Sequence, residues 1–395
     1  MQKQEQTCPA LRFPNFSENW IETTIGDNFE FKNGLNKGKE FFGYGSPIIN
    51  FKDVFKQGGI TSAQLKGLVD VTESEKKNCS AKKGDVFFNR TSEVIEEIGR
   101  ASVLLETIKD CVFSGFVLRA RPTNDSLIDE YKKYCFSVEP VRKEITSKSS
   151  CTTRALTSGS LLSSVVYKYP QKKEEQQKIA AFLGAVDEKI AQLQKNKYML
   201  EEYKKGCMQK LFSQEIRFKD DNGNAFPDWE ETVLGEHCHI TTGSLDANAM
   251  TEDGKYPFFT CAREAYKIDT AAFNTEALLI SGNGANVGYV HYYKGKFNAY
   301  QRTYVLDGFE HNIQFIEQYL RKNLRRRIFS EVKEGNTPYI VKSTLTEMPI
   351  NFPHTDEQKK IADFLSALDD KITLVTEELD KAKTFKKGLL QQMFV

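Results

Sequence analysis

Two stretches of the chain carry an apolar residue every three or four positions over about ten helical turns. The first holds Ile179, Phe182, Val186, Ile190, Leu193, Leu200, Cys207 and Leu211. The second holds Ile361, Phe364, Leu368, Ile372, Val375, Leu379, Ala382, Phe385, Leu389 and Met393. Lys and Glu flank both seams, which is the pattern of a coiled coil. Pro170 and Pro353 stand just upstream, where a helix has not yet begun. At 1.5 Å per residue, about 37 residues make a rod of roughly 55 Å.

The segments before each rod read differently, as short apolar runs broken by polar loops. In the first, Gly84-Asp85-Val86-Phe87-Phe88 predicts a strand, Asn89-Arg90-Thr91-Ser92-Glu93 a loop and Ala101–Leu104 a return strand after Gly99. A further strand covers Cys111–Arg119, and a helix runs from Leu127 to Tyr134. In the second, Ala277–Ile280 precedes the loop Ser281-Gly282-Asn283-Gly284-Ala285-Asn286-Val287-Gly288. Strands Tyr289–Tyr293 and Arg302–Leu306 follow, then a helix from Ile313 to Val332. Strand, polar loop, glycine, strand, strand, helix is the same plan twice.

The chain is therefore an internal repeat. Residues 176–212 align without a gap on 358–394, at a constant offset of 182, with 15 of 37 positions identical. Each half also opens on a matching block. Arg12-Phe13 leads to Trp20, and Arg217-Phe218 leads to Trp229, the only two tryptophans in the chain. That offset is 209, so the first half holds about 27 extra residues before its helix. The layout is head, helix, head, helix: residues 1–169, 170–212, 213–352 and 353–395. The second helix begins directly after the second head, so it pairs with the first only by running back antiparallel. A helical hairpin inside one domain is the plainer alternative. The fold class expected is α+β: two similar mixed α/β heads separated by two long helices in an antiparallel coiled coil, related by a pseudo-two-fold internal repeat.

Composition narrows the class. At 395 residues there is room for two sizeable cores. No apolar run reaches about 18 residues, so no membrane span is expected, and Met1-Gln2-Lys3-Gln4-Glu5 lacks the apolar stretch of a secretion signal. The eight cysteines are scattered without a C-x-x-C pair, which suits reduced thiols and a cytoplasmic location. Net charge is only +1, small for a nucleic-acid binder. By segment the charge is about +3, +3, −4 and −1. The second head must therefore concentrate positive charge locally, and Arg321-Lys322-Asn323-Leu324-Arg325-Arg326-Arg327 is the run that does so. It reads equally as the wet face of a helix.

Catalytic signatures are weak. Gly34-Leu35-Asn36-Lys37-Gly38-Lys39-Glu40 resembles a phosphate loop superficially but lacks its spacing and its Ser/Thr. Asp125, Glu130 and Lys132 lie too close together, inside a helix, for a nuclease triad. His237-Cys238-His239 has no second cluster to complete a zinc site. No Asn-Pro-Pro-Tyr motif of amino methylation occurs. In the loops, Gly282-Asn283-Gly284 either lets backbone approach a phosphate or base or is an ordinary hairpin turn. Arg90 and Arg302 suit bidentate pairing with guanine, or remain solvated.

The repeated QQKIAAFLGAVDEKI (176–190) and QKKIADFLSALDDKI (358–372) resemble the two helical regions of specificity subunits of Type I restriction-modification systems. FPDWE (226–230), GDVFFNRTSE (84–93), the segment 278–306 and NTPYIVKSTLTEMPI (336–350) are similar to that family's target-recognition segments. The resemblance covers nearly the whole chain. It implies that each head is a target-recognition domain reading one half of a bipartite, asymmetric double-stranded DNA target, and that the helices set the spacer and dock modification subunits. Partners would be two modification subunits and two restriction or translocating subunits. S-adenosylmethionine, ATP and Mg2+ would reside on those partners, this chain having no cofactor, metal or catalytic residue. DNA contacts are expected from Arg90, Thr91, Ser92 and Arg119 in the first head. In the second they are expected from Gly282, Asn283, Gly284, Asn286, Arg302, Arg325, Arg326 and Lys342. Ile179, Phe182, Val186, Ile190 and Leu193 would meet Ile361, Phe364, Leu368, Ile372 and Val375 along the helix interface. A two-headed scaffold for a ligand other than DNA is the competing reading.

Overall fold

A computed structural model describes residues 8–56, 58–151, 153–331 and 338–395. The chain divides into two compact units, Met1–Gln194 with Glu378–Val395, and Lys195–Glu377. The strands of the first unit used below are β1 (Ile21–Thr24), β2 (Phe29–Asn33), β3 (Gly58–Ile60), β4 (Val86–Asn89), β5 (Ala101–Leu104), β6 (Val117–Pro122) and β7 (Val166–Tyr169). Those of the second are β8 (Glu230–Val233), β9 (His239–Thr242), β10 (Tyr256–Phe259), β11 (Tyr266–Ile268), β12 (Phe273–Ser281), β13 (Val290–Ala299), β14 (Thr303–Asp307) and β15 (Pro349–Phe352). The helices are α1 (Asp129–Cys135), α2 (Glu139–Lys148), α3 (Lys173–Phe212), α4 (Ile313–Glu331) and α5 (Thr355–Gln392).

Both units use one topology. The first sheet is ordered β2-β6-β4-β5-β3, the second β9-β14-β12-β13-β10-β11. Neighbours are antiparallel except the β5–β3 and β13–β10 pairs, which are parallel in both. Beside each sheet lies a two-stranded ribbon, β1 with β7 and β8 with β15. The central strands are apolar throughout because each sheet has a core on both faces. Side chains alternate between them: Val86 and Phe88 enter one core, Phe87 the other, and Leu278 and Ile280 are opposed by Ala277 and Leu279.

The long helices are tied to each unit by the same contacts. Glu175, in the first turn of α3, receives Arg12 in a two-point ion pair at 2.7 and 2.8 Å and the Trp20 indole N–H at 3.3 Å. Glu357, in the first turn of α5, receives Arg217 at 3.1 and 2.7 Å and Trp229 at 3.2 Å. The next residue, Gln176 or Gln358, is fully buried. Its amide donates to the carbonyl of Pro170 or Pro353 and its carbonyl accepts from Ile128 N or Asn312 N. Here the matching tryptophans and prolines of the sequence find their use: they fix the entry of each helix.

Within each unit α3 and α5 run antiparallel. In the first, Asp187 pairs with Lys386 at 2.6 Å, and Ile179 and Leu183 share a core with Leu389 and Met393. In the second, Lys204 pairs with Asp369 at 2.6 Å, and Leu211 shares a core with Ile361 and Leu365. The seam differs from the expected one. Phe182 is 38% exposed and Phe364 half-buried, their rings meeting Phe13 and Phe218 edge-on. Leu183 and Leu365 take the interior places instead, because the start of each helix packs on its own head as well as on the other helix. Val186, Ile190, Ile372 and Val375 are half-buried, while Ile179, Leu193, Ile361 and Leu368 are buried.

Two further differences are local. The expected helix of the first head is present as α1, and a further helix, α2, follows it with Pro140 in its first turn, where proline is tolerated. In the second head the expected long helix is α4, whose expected last residue, Val332, lies outside the described residues, and a short helix at Lys342–Thr346 follows. The first unit also carries a small sheet of Phe42–Ile49, Leu68–Val69 and Val112–Phe113, which supplies Ile48, Ile49 and Val69 to its outer core. No helix among the described residues is long and apolar enough to cross a membrane.

Candidate nucleic-acid interface

The same concave place occurs in both units, where the second strand of the sheet order begins. In the first unit Ser114–Val117 forms a tight turn entering β6, with Val117 N donating to Ser114 O at 2.9 Å. In the second, Tyr300–Thr303 enters β14, with Thr303 N donating to Tyr300 O at 2.8 Å. Each turn is anchored from the strand that ends beside it. Gly115 N donates to Leu35 O, and Gln301 N to Leu245 O. The backbone leaving the central strand completes the frame: Arg90 N donates to Phe116 O at 3.0 Å, and Gly282 N to Arg302 O at 2.8 Å. The carbonyls of Arg90 and Gly282 then accept from Thr157 N and Ile340 N.

This frame explains two glycines that follow β2 and β9. A Cβ on Gly34 would lie 2.3 Å from Ser114 O, and one on Gly243 would lie 1.9 Å from Ala299 O. Both glycines admit the anchored turn. Gly34, in the segment that resembles a phosphate loop, serves its own chain. Sequence reasoning missed this pair, although each stands one residue past its strand and so could have been matched.

Beside the turns are cavities of about 550 Å³ in the first unit and about 250 Å³ in the second. Lys32, Asn33, Arg90 and Ser158 line the first; Thr242, Gln301, Arg302 and Tyr304 line the second. The Tyr304 hydroxyl donates to Ile340 O at 3.0 Å, and burial pushes its pKa up, so it remains a neutral wall. Arg302 is exposed and makes no ion pair among the described residues. Within each unit the cavity is polar and open, suited to binding a surface rather than to enclosing a small substrate.

Comparison with known proteins decides the family. The model of the Type I restriction modification DNA specificity domain matches residues 17–202 and 227–384. The chain belongs to this family. The match places this specificity chain on the DNA-recognition side of a Type I system and disfavours the non-DNA scaffold. A specificity subunit of the EcoDI restriction enzyme from Escherichia coli is 39% identical over 168 residues, a match spanning 41% of this chain and only 37% of that one. The MjaIX specificity subunit of Methanocaldococcus jannaschii is 24% identical across 95% of this chain and 93% of its own length. In fold, the specificity chain is similar to the S subunit of a Type I system from M. genitalium, at a TM-score of 0.67, 18% identity, and 98% and 99% coverage. A structure described as bearing on complex assembly of the Type I system is similar at a TM-score of 0.53, with 16% identity and 95% and 97% coverage.

The specificity chain distributes its expected DNA contacts unevenly. Arg90 and Arg302 both reach the repeated frame. Arg119 does not: it is 4% exposed, donates to Ser80 O at 2.9 Å, and its pKa is pushed down by burial and by Arg121. The sheet has no wet face at that strand, which is the reason. Ser92 is also turned inward, its hydroxyl donating to Glu97 at 3.4 Å, whereas Thr91 is half-buried on the pairing edge. Gly282 and Gly284 do different work. A Cβ on Gly282 would lie 2.4 Å from Arg302 O, so the close approach is to the chain's own turn, and Gly284 serves a turn at φ +77° with open space around it. Asn283 accepts from Cys261 Sγ, and Asn286 is held between Cys261 O and Arg263.

The basic run of α4 is broken up by helical geometry. Leu324 and Ile328 are buried, Arg321 pairs with Glu317 and Arg327 with Glu331, and Lys322 lies over the Phe212 ring. Arg325 and Arg326 remain exposed, as does Lys342 at the start of a short helix. The triad considered in sequence is dispersed: Asp125 pairs with Lys173, and Lys132 binds Asp129 and Gly84 O. His237 bonds Thr232 and Glu310, while His239 lies beside Asp307.

Proposed function

We propose that each unit reads one half of a bipartite, asymmetric DNA target, using the anchored turn and the loop that crosses it. The observation that carries this reading is a scaffold repeated down to single hydrogen bonds whose outward residues differ. A frame kept constant positions a reading head, and variable outward side chains give each head its own base preference. The paired long helices fix the unspecified bases between half-sites and carry two modification subunits, with two restriction or translocating subunits joining the same assembly. The chain itself does no catalysis. S-adenosylmethionine, ATP and Mg2+ belong on the partner subunits, and the complex works in the cytoplasm. Near-neutral net charge fits a protein that binds DNA inside an assembly, with partners supplying much of the positive channel.

The test is co-expression with a modification subunit of a Type I system, followed by mapping of methylated bases across the host genome by single-molecule sequencing. Two short defined blocks around a gap of fixed length are expected. A stable complex that methylates no split motif would contradict the reading.

A further inference from the structure

Resting on that reading, we infer that the third residue of the anchored turn is a base-reading position in both units, and that it selects thymine in one and guanine in the other. The residues are Phe116 and Arg302. Their equivalence follows from register. Val117 pairs with Asn89 as Thr303 pairs with Ser281, and the residue before each accepts from the backbone N–H that leaves the central strand. Ser114 Oγ also accepts from Phe116 N at 3.3 Å, which pins the turn in the first unit.

What projects from this common point is chemically opposite. Phe116 is 63% exposed, the most exposed large apolar side chain described in the first unit. An aromatic ring held open on a rigid turn, beside a polar cavity containing Arg90, gains nothing from folding. Its chemistry suits an apolar group presented in a groove, and the 5-methyl of thymine is the one such group in the major groove. Arg302 is exposed at the same point, its guanidinium making no hydrogen bond or ion pair among the described residues. The neighbouring Gln301 side chain is already committed to Asp246 at 2.6 Å. A guanidinium so placed matches the O6 and N7 acceptors of guanine, which it can meet with two parallel hydrogen bonds.

The experiment uses the full chain assembled with its modification subunit and selects bound sequences from randomised duplex DNA. Wild-type protein is expected to require a thymine at one position of one half-site and a guanine at one position of the other. Phe116→Ala should relax the thymine position alone, and Arg302→Ala the guanine position alone, each by about tenfold to a hundredfold in discrimination. Arg302→Lys should recover only part of the guanine preference. Replacing the thymine by uracil removes only the methyl group. It should weaken wild-type binding as much as Phe116→Ala does, and leave the variant unaffected. Variants that weaken binding evenly with both half-sites unchanged, or a uracil effect that persists in Phe116→Ala, would overturn the assignment. If wild-type protein selects no split target at all, the underlying reading fails instead.

Discussion

Glu175 and Glu357 stand 182 residues apart, and each binds an arginine and a tryptophan from the start of its own half. Gln176 and Gln358, Asp187 and Asp369, Gly34 and Gly243 form similar pairs with matching contacts. Phe116 and Arg302 share a backbone position and nothing else. The contrast separates two kinds of constraint on one fold. Residues that enter the helix joint or admit the turn answer to geometry common to both units. Residues that leave the turn for solvent answer to whatever each unit meets. The outer cores follow the second pattern: a small sheet with Ile48 and Ile49 in one unit, and an aromatic group with Phe259 and Phe297 in the other.

The sharpest way to break this comparison is to remove one shared carboxylate. The Glu175 and Glu357 side chains are 2% and 0% exposed, and loss of either takes the buried carboxylate from a guanidinium and leaves an indole N–H without its acceptor. Glu357→Ala and Glu175→Ala should each cost about 3–5 kcal/mol. Denaturant unfolding checks the size, and hydrogen exchange should place the damage in the unit that was altered. Equal losses spread over both units would mean that they are not separate bodies.

Next in size are the paired glycines. Gly34→Ala and Gly243→Ala force a Cβ against turn backbone, costing about 1–3 kcal/mol. Each should also blunt recognition of one half-site and spare the other, measured by methylation of split targets.

The smallest effect distinguishes the units by pH. All five histidines lie between residues 237 and 354, in the second unit. Burial holds His291 and His311 below the usual histidine value, with Arg321 also opposing the charge on the first and His237 on the second. The unfolded chain takes up protons more readily once pH falls below about 6.5. Stability of the second unit is therefore expected to decline as pH drops from about 7 toward 5, while the first, without histidine, changes less. Hydrogen exchange at pH 7 and 5.5, corrected for intrinsic rates, reads this directly.

Much of the architecture was legible because it is periodic and repeated. The two rods, the matching Trp blocks and the repeated succession of strand, loop, strand, strand and helix all follow from spacing, whereas the order of strands within each sheet does not. The individual site residues were harder to read. Cys111–Arg119 reads as one strand, but the turn at Ser114–Val117 interrupts it and turns Phe116 out. Arg119 looked accessible because strand alternation suggests a wet face, whereas this sheet is covered on both sides. Phe182 looked like seam because periodicity alone does not say that a helix end has two partners. Gly34 imitated a ligand loop, since a glycine admitting its own backbone and one admitting phosphate look alike in sequence.

The central claim is that the two heads are interchangeable readers on one frame, and a chimera tests it most directly. Residues 213–352 would be replaced by a second copy of 1–169, keeping both long helices, and methylation mapped after co-expression with the modification subunit. The account predicts a target made of two copies of the first half-site around the original spacing. An assembled chimera that still methylates the original asymmetric target, or none, would contradict it.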